Sequence, residues 1–112
     1  MEEDLYCKIY VNSSWSKTEL LNQLSNIVQG EVSLRSIESK IMEIDVIVND
    51  DYDKDKVAQK DGFVYYPYYL EIDSVEGVNS SDYIEAIKGM LKDLQRLCAN
   101  AIASCDFEDK LL

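Results

Sequence analysis

Histidine is absent from this chain, and proline and tryptophan occur once each among its 112 residues. The missing His removes Ser-His-Asp triads and most transition-metal sites, and leaves a Cys nucleophile without its usual base. Cations are scarce as well: Lys and Arg total 11 against 22 Asp and Glu, for a net charge of −11. Arginine stands only at Arg35 and Arg96. Nucleic-acid binding draws on Lys and Arg contacts to phosphate, so this balance excludes it. Anionic membranes are disfavoured on the same ground. No apolar run approaches the roughly 18 residues of a membrane-spanning helix. The first residues, Met1-Glu2-Glu3-Asp4, are acidic where a secretory leader is basic, which points to the cytoplasm. Glycine occurs at 30, 62, 77 and 89, a spacing that fits neither type of phosphate-binding loop.

What remains is enough to fold. The hydrophobic fraction is 46%, ordinary for a globular protein and too high for a disordered acidic tail. The length allows one domain, residues 1–112, with one core. Cys7, Cys98 and Cys105 are odd in number, widely spaced and set among apolar neighbours, so they read as reduced, buried thiols.

Along the chain, Leu5, Cys7, Ile9 and Val11 alternate with Tyr6, Lys8 and Tyr10, a strand with one buried face. Ser16-Lys17-Thr18-Glu19 is a capping box. Leu20, Leu21, Leu24, Ile27 and Val28 then form one helical stripe, and Gly30 suits the left-handed position past its end. Val32 to Val48 reads as extended, either one long bent strand or a short hairpin. Residues 49–62 form a polar loop with five Asp. Phe63 to Asp73 alternates again, with Val64, Tyr66, Tyr68, Leu70 and Ile72 on one face. Pro67 in that run argues for a sheet edge or a bulge. Ser80, Ser81 and Asp82 offer caps for a second helix carrying Ile84, Ile87, Leu91, Leu94 and Cys98 at helical spacing. Gly89 inside it suggests a close packing contact. Ala101 to Phe107 reads as a final strand in preference to further helix.

The order strand, helix, strand, strand, helix, strand predicts an α+β domain of the ferredoxin-like, split-βαβ kind (βαββαβ). Its antiparallel sheet carries two helices on one face. The other face is then open, and it carries Tyr6, Tyr10, Tyr65 and Tyr69 with Lys8, Glu43, Asp45 and Glu71. Tyr is favoured at interfaces, although strand propensity and cross-strand pairing account for it as well.

Calcium is one reading of the acidic loop. Asp51, Asp53 and Asp55 have the 1, 3, 5 spacing of an EF-hand, but Lys56 stands where Gly is required and Gly62 where a bidentate Glu is required. A solvated loop or an acidic contact patch is the better reading of Asp50, Asp51, Asp53 and Asp55. The pairs Glu43 with Asp45 and Glu71 with Asp73 arise easily by chance among 22 acids, and no cleft is implied around them.

Three segments carry a resemblance: Asp4-Leu5-Tyr6-Cys7, Tyr68-Tyr69-Leu70-Glu71-Ile72-Asp73 and Cys105-Asp106-Phe107-Glu108-Asp109. Over nearly its full length the chain resembles short acidic bacterial proteins of the kind found as immunity proteins in polymorphic toxin systems. That resemblance implies a small cytoplasmic antidote that binds and blocks a cognate toxin domain, often a basic nuclease. It transfers no site residues. The expected function is therefore a non-catalytic protein-binding module with a basic protein partner and no cofactor. The candidate contact residues are Tyr6, Tyr10, Asp50, Asp51, Asp53, Asp55, Tyr65, Tyr69 and Glu71. A second reading is a small-molecule-binding or regulatory domain whose open face is closed by homodimerisation. A third, a small isomerase using carboxylates and Tyr, requires a deep acid-lined pocket.

Overall fold

The structure, a computed structural model, describes residues 5–97 and 100–111. The acidic start at Met1 to Asp4 and the burial expected of Cys98 lie outside those residues. The elements are β1 (Cys7–Asn12), α1 (Lys17–Val28), β2 (Glu31–Ser33), β3 (Ser36–Glu38), β4 (Met42–Val48), β5 (Tyr68–Ser74), α2 (Ser80–Arg96) and β6 (Asn100–Ser104). Short 3-10 turns occupy Gly62–Tyr65 and Glu108–Leu111. The strands form one sheet in the order β2-β3-β4-β5-β1-β6, with every neighbouring pair antiparallel.

The fold is α+β with two helices on one sheet face, as expected, but the sheet has six strands instead of four. The difference arises between Val32 and Lys40. Leu34 takes φ +54° at the first position of the two-residue turn Leu34–Arg35, which reverses the chain between β2 and β3. Ser39 then makes a second reversal. Its Oγ accepts from the amides of Ile41 at 3.2 Å and Met42 at 3.0 Å, and donates to the Met42 carbonyl at 3.0 Å. Of the two readings left open for this stretch, the hairpin is the one that forms.

Period-two burial sets the layers. Cys7, Ile9 and Val11 of β1 are fully buried, as are Ile44 and Val46 of β4 and Leu70 and Ile72 of β5. They meet Leu20, Leu21 and Leu24 of α1 and Tyr83, Ile84, Ile87, Met90, Leu91 and Leu94 of α2 in a single cluster. Ser16 and Glu19 form the expected capping box. A cap is worth about 1 kcal/mol, whereas each buried Leu contributes roughly 1.5–3 kcal/mol. The cap therefore sets where α1 begins, and the leucines hold it to the sheet. The final strand preferred from sequence is present, but it spans Asn100–Ser104, and Cys105 to Phe107 leave the sheet in a turn. Beyond it Phe107 is fully buried, edge-on to the Tyr83 ring at 6.0 Å, and the Tyr83 hydroxyl donates to the Ile72 carbonyl at 3.3 Å.

Several local expectations are corrected. The left-handed residue after α1 is Gln29, with φ +56°, because its amide closes the last turn onto Ser25. Gly30 is needed for another reason: a Cβ there would lie 2.8 Å from the Glu38 carbonyl oxygen and from Ile37 Cγ2. The cap of α2 is Asn79, whose Oδ1 accepts from the Ser81 amide at 2.8 Å. Phe63 to Pro67 is not strand, so Val64 and Tyr66 do not join the helix-facing row, and β5 starts at Tyr68. Pro67 sits just before β5, which is an inner strand. Gly89 makes no close contact: a Cβ would meet nothing within 4 Å, and the residue lines a groove of about 270 Å³ between the helices and the β3–β4 link.

These two glycines give opposite expectations. Gly89→Ala should raise the free energy of unfolding by about 0.5–1 kcal/mol, since it gains helix propensity without a clash. Gly30→Ala should lower it by about 1–3 kcal/mol, because β3 must shift to admit the methyl group. Urea denaturation of the two variants checks both signs.

Candidate functional site

Helices cover one face of the sheet, and the register places carboxylates side by side on the other. Glu31 on β2 is opposite Glu38 on β3, Glu38 is opposite Glu43 on β4, and Glu43 is opposite Asp73 on β5. One row further, Asp45 is opposite Glu71. Glu31, Glu38, Glu43, Asp45 and Asp73 are all exposed, and Glu71 is half-buried. Like charges directly opposed across strands are destabilising, so these rows cost the sheet free energy.

Among the described strand residues of this face, the one cation is Lys8 on β1, opposite Glu71. Its ammonium lies 4.2 Å from the centroid of the Tyr69 ring and 5.0 Å from that of Tyr10. Tyr10 and Tyr69 are a cross-strand pair with ring centroids 6.0 Å apart. Phe63 from the loop packs edge-on to Tyr10 at 5.4 Å. The face thus has an aromatic end, partly roofed by Phe63 of the loop, and an acidic end, where Lys17 and Arg35 border the hollow that Asp45 and Glu71 line. Tyr6, just before β1, stands where the two meet. Its phenol is pushed up to about 12 by burial, by the Glu71 charge and hydrogen bond, and more weakly by Asp73 and Tyr69.

The loop between β4 and β5 is closed at its neck by Asn49, which is buried. Its backbone amide donates to the Pro67 carbonyl at 2.9 Å. The side-chain amide donates to the carbonyls of Val64 at 3.0 Å and Tyr66 at 2.8 Å, and Oδ1 accepts from the Asp51 amide. Gly62 allows the loop to close on itself, because a Cβ there would strike the carbonyls of Lys56 and Val57.

The candidate residues therefore divide. Tyr6, Tyr10, Tyr69 and Glu71 share the open face, as expected. Tyr65 does not: it belongs to the 3-10 turn, with the Lys56 ammonium 5.0 Å from its ring centroid. Asp50, Asp51, Asp53 and Asp55 lie in the loop, where Asp53 Oδ1 accepts from the Asp55 amide and its other oxygen is 4.0 Å from Lys56. Among the described residues no group of three or more His, Cys, Asp or Glu is placed to hold a metal ion. Also among them, no helix is long and apolar enough to cross a membrane. The candidate contact residues do not include Glu31, Glu38 and Asp73, nor Glu43 and Asp45, although the alternation places the last two on the open face. The missing signal was the β2–β3 hairpin, which extends the acidic row to four strands. It also carries Leu34, 96% exposed at its tip.

The Tyr6 environment gives a test of this geometry. A phenol raised from 10.0 to about 12 favours the protonated, folded state. Its stabilising effect is complete below pH 10 and is lost as pH rises through 12. In a spectrophotometric titration, Glu71→Gln should bring the late-ionising phenol down toward the ordinary value, and Tyr6→Phe should remove that component.

No family model matches the sequence, and comparisons with curated proteins and with solved structures found no match.

Proposed function

We propose that the chain is a non-catalytic binding protein of the immunity type, which acts in the cytoplasm and neutralises a basic toxin domain by covering it with the open sheet face. The observation that carries this reading is the in-register row Glu31, Glu38, Glu43 and Asp73, with Asp45 and Glu71 beside it. Each opposed pair of carboxylates is a cost that folding alone does not require. A cationic surface laid over the row would turn that repulsion into attraction. Charge complementarity of this kind speeds encounter and rejects wrong partners. The neighbouring Tyr6 offers a ring that is apolar in its body and polar at its tip, 37% exposed beside the carboxylates.

The strand order β4-β5-β1-β6 around two helices supports a ferredoxin-like kernel, extended at one edge by the β2–β3 hairpin. In that view the hairpin is the addition that widens the acidic face. Closure of the face by a second copy would oppose like-charged rows, so the same observation favours a basic partner over a homodimer.

The chain is used as bait in lysate of its source organism at ~50 mM and ~500 mM salt, a range that spans weak and strong screening. One basic protein should be held near 1:1 and released by salt, and a variant with Glu38→Lys, Glu43→Lys and Asp73→Lys should fail to hold it. Capture indifferent to both salt and charge reversal overturns the reading. A second measurement separates binding from folding. Glu43→Lys alone turns two repulsive pairs into attractive ones, so it should stabilise the isolated domain by roughly 0.5–1 kcal/mol in urea denaturation while weakening capture.

A further inference from the structure

We propose that Cys7 and Cys105 form a redox-responsive modification site, a thiol pair that oxidises to an intrachain disulfide and clamps β1 to the chain leaving β6. The β1–β6 ladder pairs Asn12 with Asn100 and runs to Lys8 opposite Ser104. Cys7 and Cys105 each stand one residue beyond that last pair, Cys105 just after the end of β6. The Cys7 thiol donates to the Cys105 sulfur across 3.2 Å, although 98 positions separate them in sequence. Directly opposed residues of an antiparallel ladder have Cα atoms about 4.5–5.5 Å apart, inside the roughly 4.4–6.8 Å that disulfides span. The end of the ladder therefore brings the two thiols to 3.2 Å, and closing the bond needs only a short approach of the two sulfurs.

Access is unequal. Cys7 is fully buried on the helix-facing side, whereas Cys105 is half-buried. Reaction thus begins at Cys105, with a low-molecular-weight disulfide as oxidant. The Cys105 thiolate attacks one sulfur of that disulfide, its S–S bond breaks, and one thiolate leaves. Cys7 then gives up its proton and attacks the Cys105 sulfur of the mixed disulfide, expelling the second thiolate. Two protein thiols are oxidised, one external disulfide is reduced to two thiols, and nothing remains attached to the chain. Burial holds the Cys7 thiol far above its ordinary value. Burial also raises Cys105, Glu108 and Asp106 push the same way, and the hydrogen bond from Cys7 pulls back. Few thiolates exist at neutral pH, so the pair resists a brief oxidising pulse and yields to a sustained one.

The linked segment leads into Phe107, which fills the core against Tyr83. Oxidation would pin this segment and β6 to the central part of the sheet. The test treats the full-length chain with oxidised glutathione and maps peptides by mass spectrometry without reduction. The expected result is loss of two of the three thiols, a peptide pair joined through Cys7 and Cys105, and recovery of all thiols with dithiothreitol. Cys105→Ser, which alters the half-buried partner and leaves the core cysteine in place, should prevent that cross-link. Three persistent thiols, or a cross-link that includes Cys98, overturns the proposal.

Discussion

Strand β1 is the joint on which the structure depends. It is first in the chain but lies inside the sheet, between β5 and β6, so its partners come from residues 68–72 and 100–104. Neither ladder can form until long loops have closed, and loop-closure entropy opposes that step. The core answers it: Cys7, Ile9 and Val11 are fully buried and meet both helices through one cluster. Because side chains alternate across a strand, a one-residue slip of β1 would put Lys8 and Tyr10 under the helices. Burial on one face thereby fixes what stands on the other.

Fixing the register has two consequences far from the core. On the open face it brings Lys8 and Tyr10 beside Tyr69 and Glu71, and it sets Tyr6 against Glu71. At the far end of the β1–β6 ladder it sets Cys7 against Cys105. The aromatic cluster and the thiol pair are thus products of the same alternation. The acidic rows follow from the same rule carried through β5, β4 and β3, where Ile72, Ile44 and Ile37 are buried and Glu71, Asp73, Glu43, Asp45 and Glu38 stand beside them on the other face.

Features encoded within a few residues were legible in the sequence. The Ser16–Glu19 capping box is local, and it formed as read. The alternation of β1 identified its buried face, and parity on β5 placed Tyr69 and Glu71 on the open face. What failed was set by distant partners. Phe63 to Pro67 alternates like a strand, yet Asn49 takes the carbonyls of Val64 and Tyr66, and Gly62 lets the loop fold back on Lys56 and Val57. Strands β2 and β3 have three residues each, too short to display a period, and were recognisable only once Leu34 and Ser39 reversed the chain. Gly30 and Gly89 show the same limit: one is held by a carbonyl from another strand, the other faces open space, and nothing local distinguishes them.

The acidic rows bear most directly on function because folding does not account for them. An exposed sheet face stays soluble with charges of both signs interspersed, and opposed pairs of unlike charge would add stability. This face instead sets Glu against Glu and Glu against Asp on successive strands, and the Lys8 ammonium lies over the rings of Tyr69 and Tyr10. Repulsion between exposed carboxylates is modest in water, and salt screens it further, so the sheet tolerates the arrangement. Bringing a cationic surface against the row changes the balance. Water leaves, the effective dielectric falls, and each carboxylate gains an opposite charge where it had a like one. The arrangement is therefore weakly unfavourable in the free protein, and a basic surface would relieve it, the new attraction being set against the cost of desolvating the charges. That asymmetry is the physical basis of the proposed reading, in which a basic partner would meet strands β2 to β5.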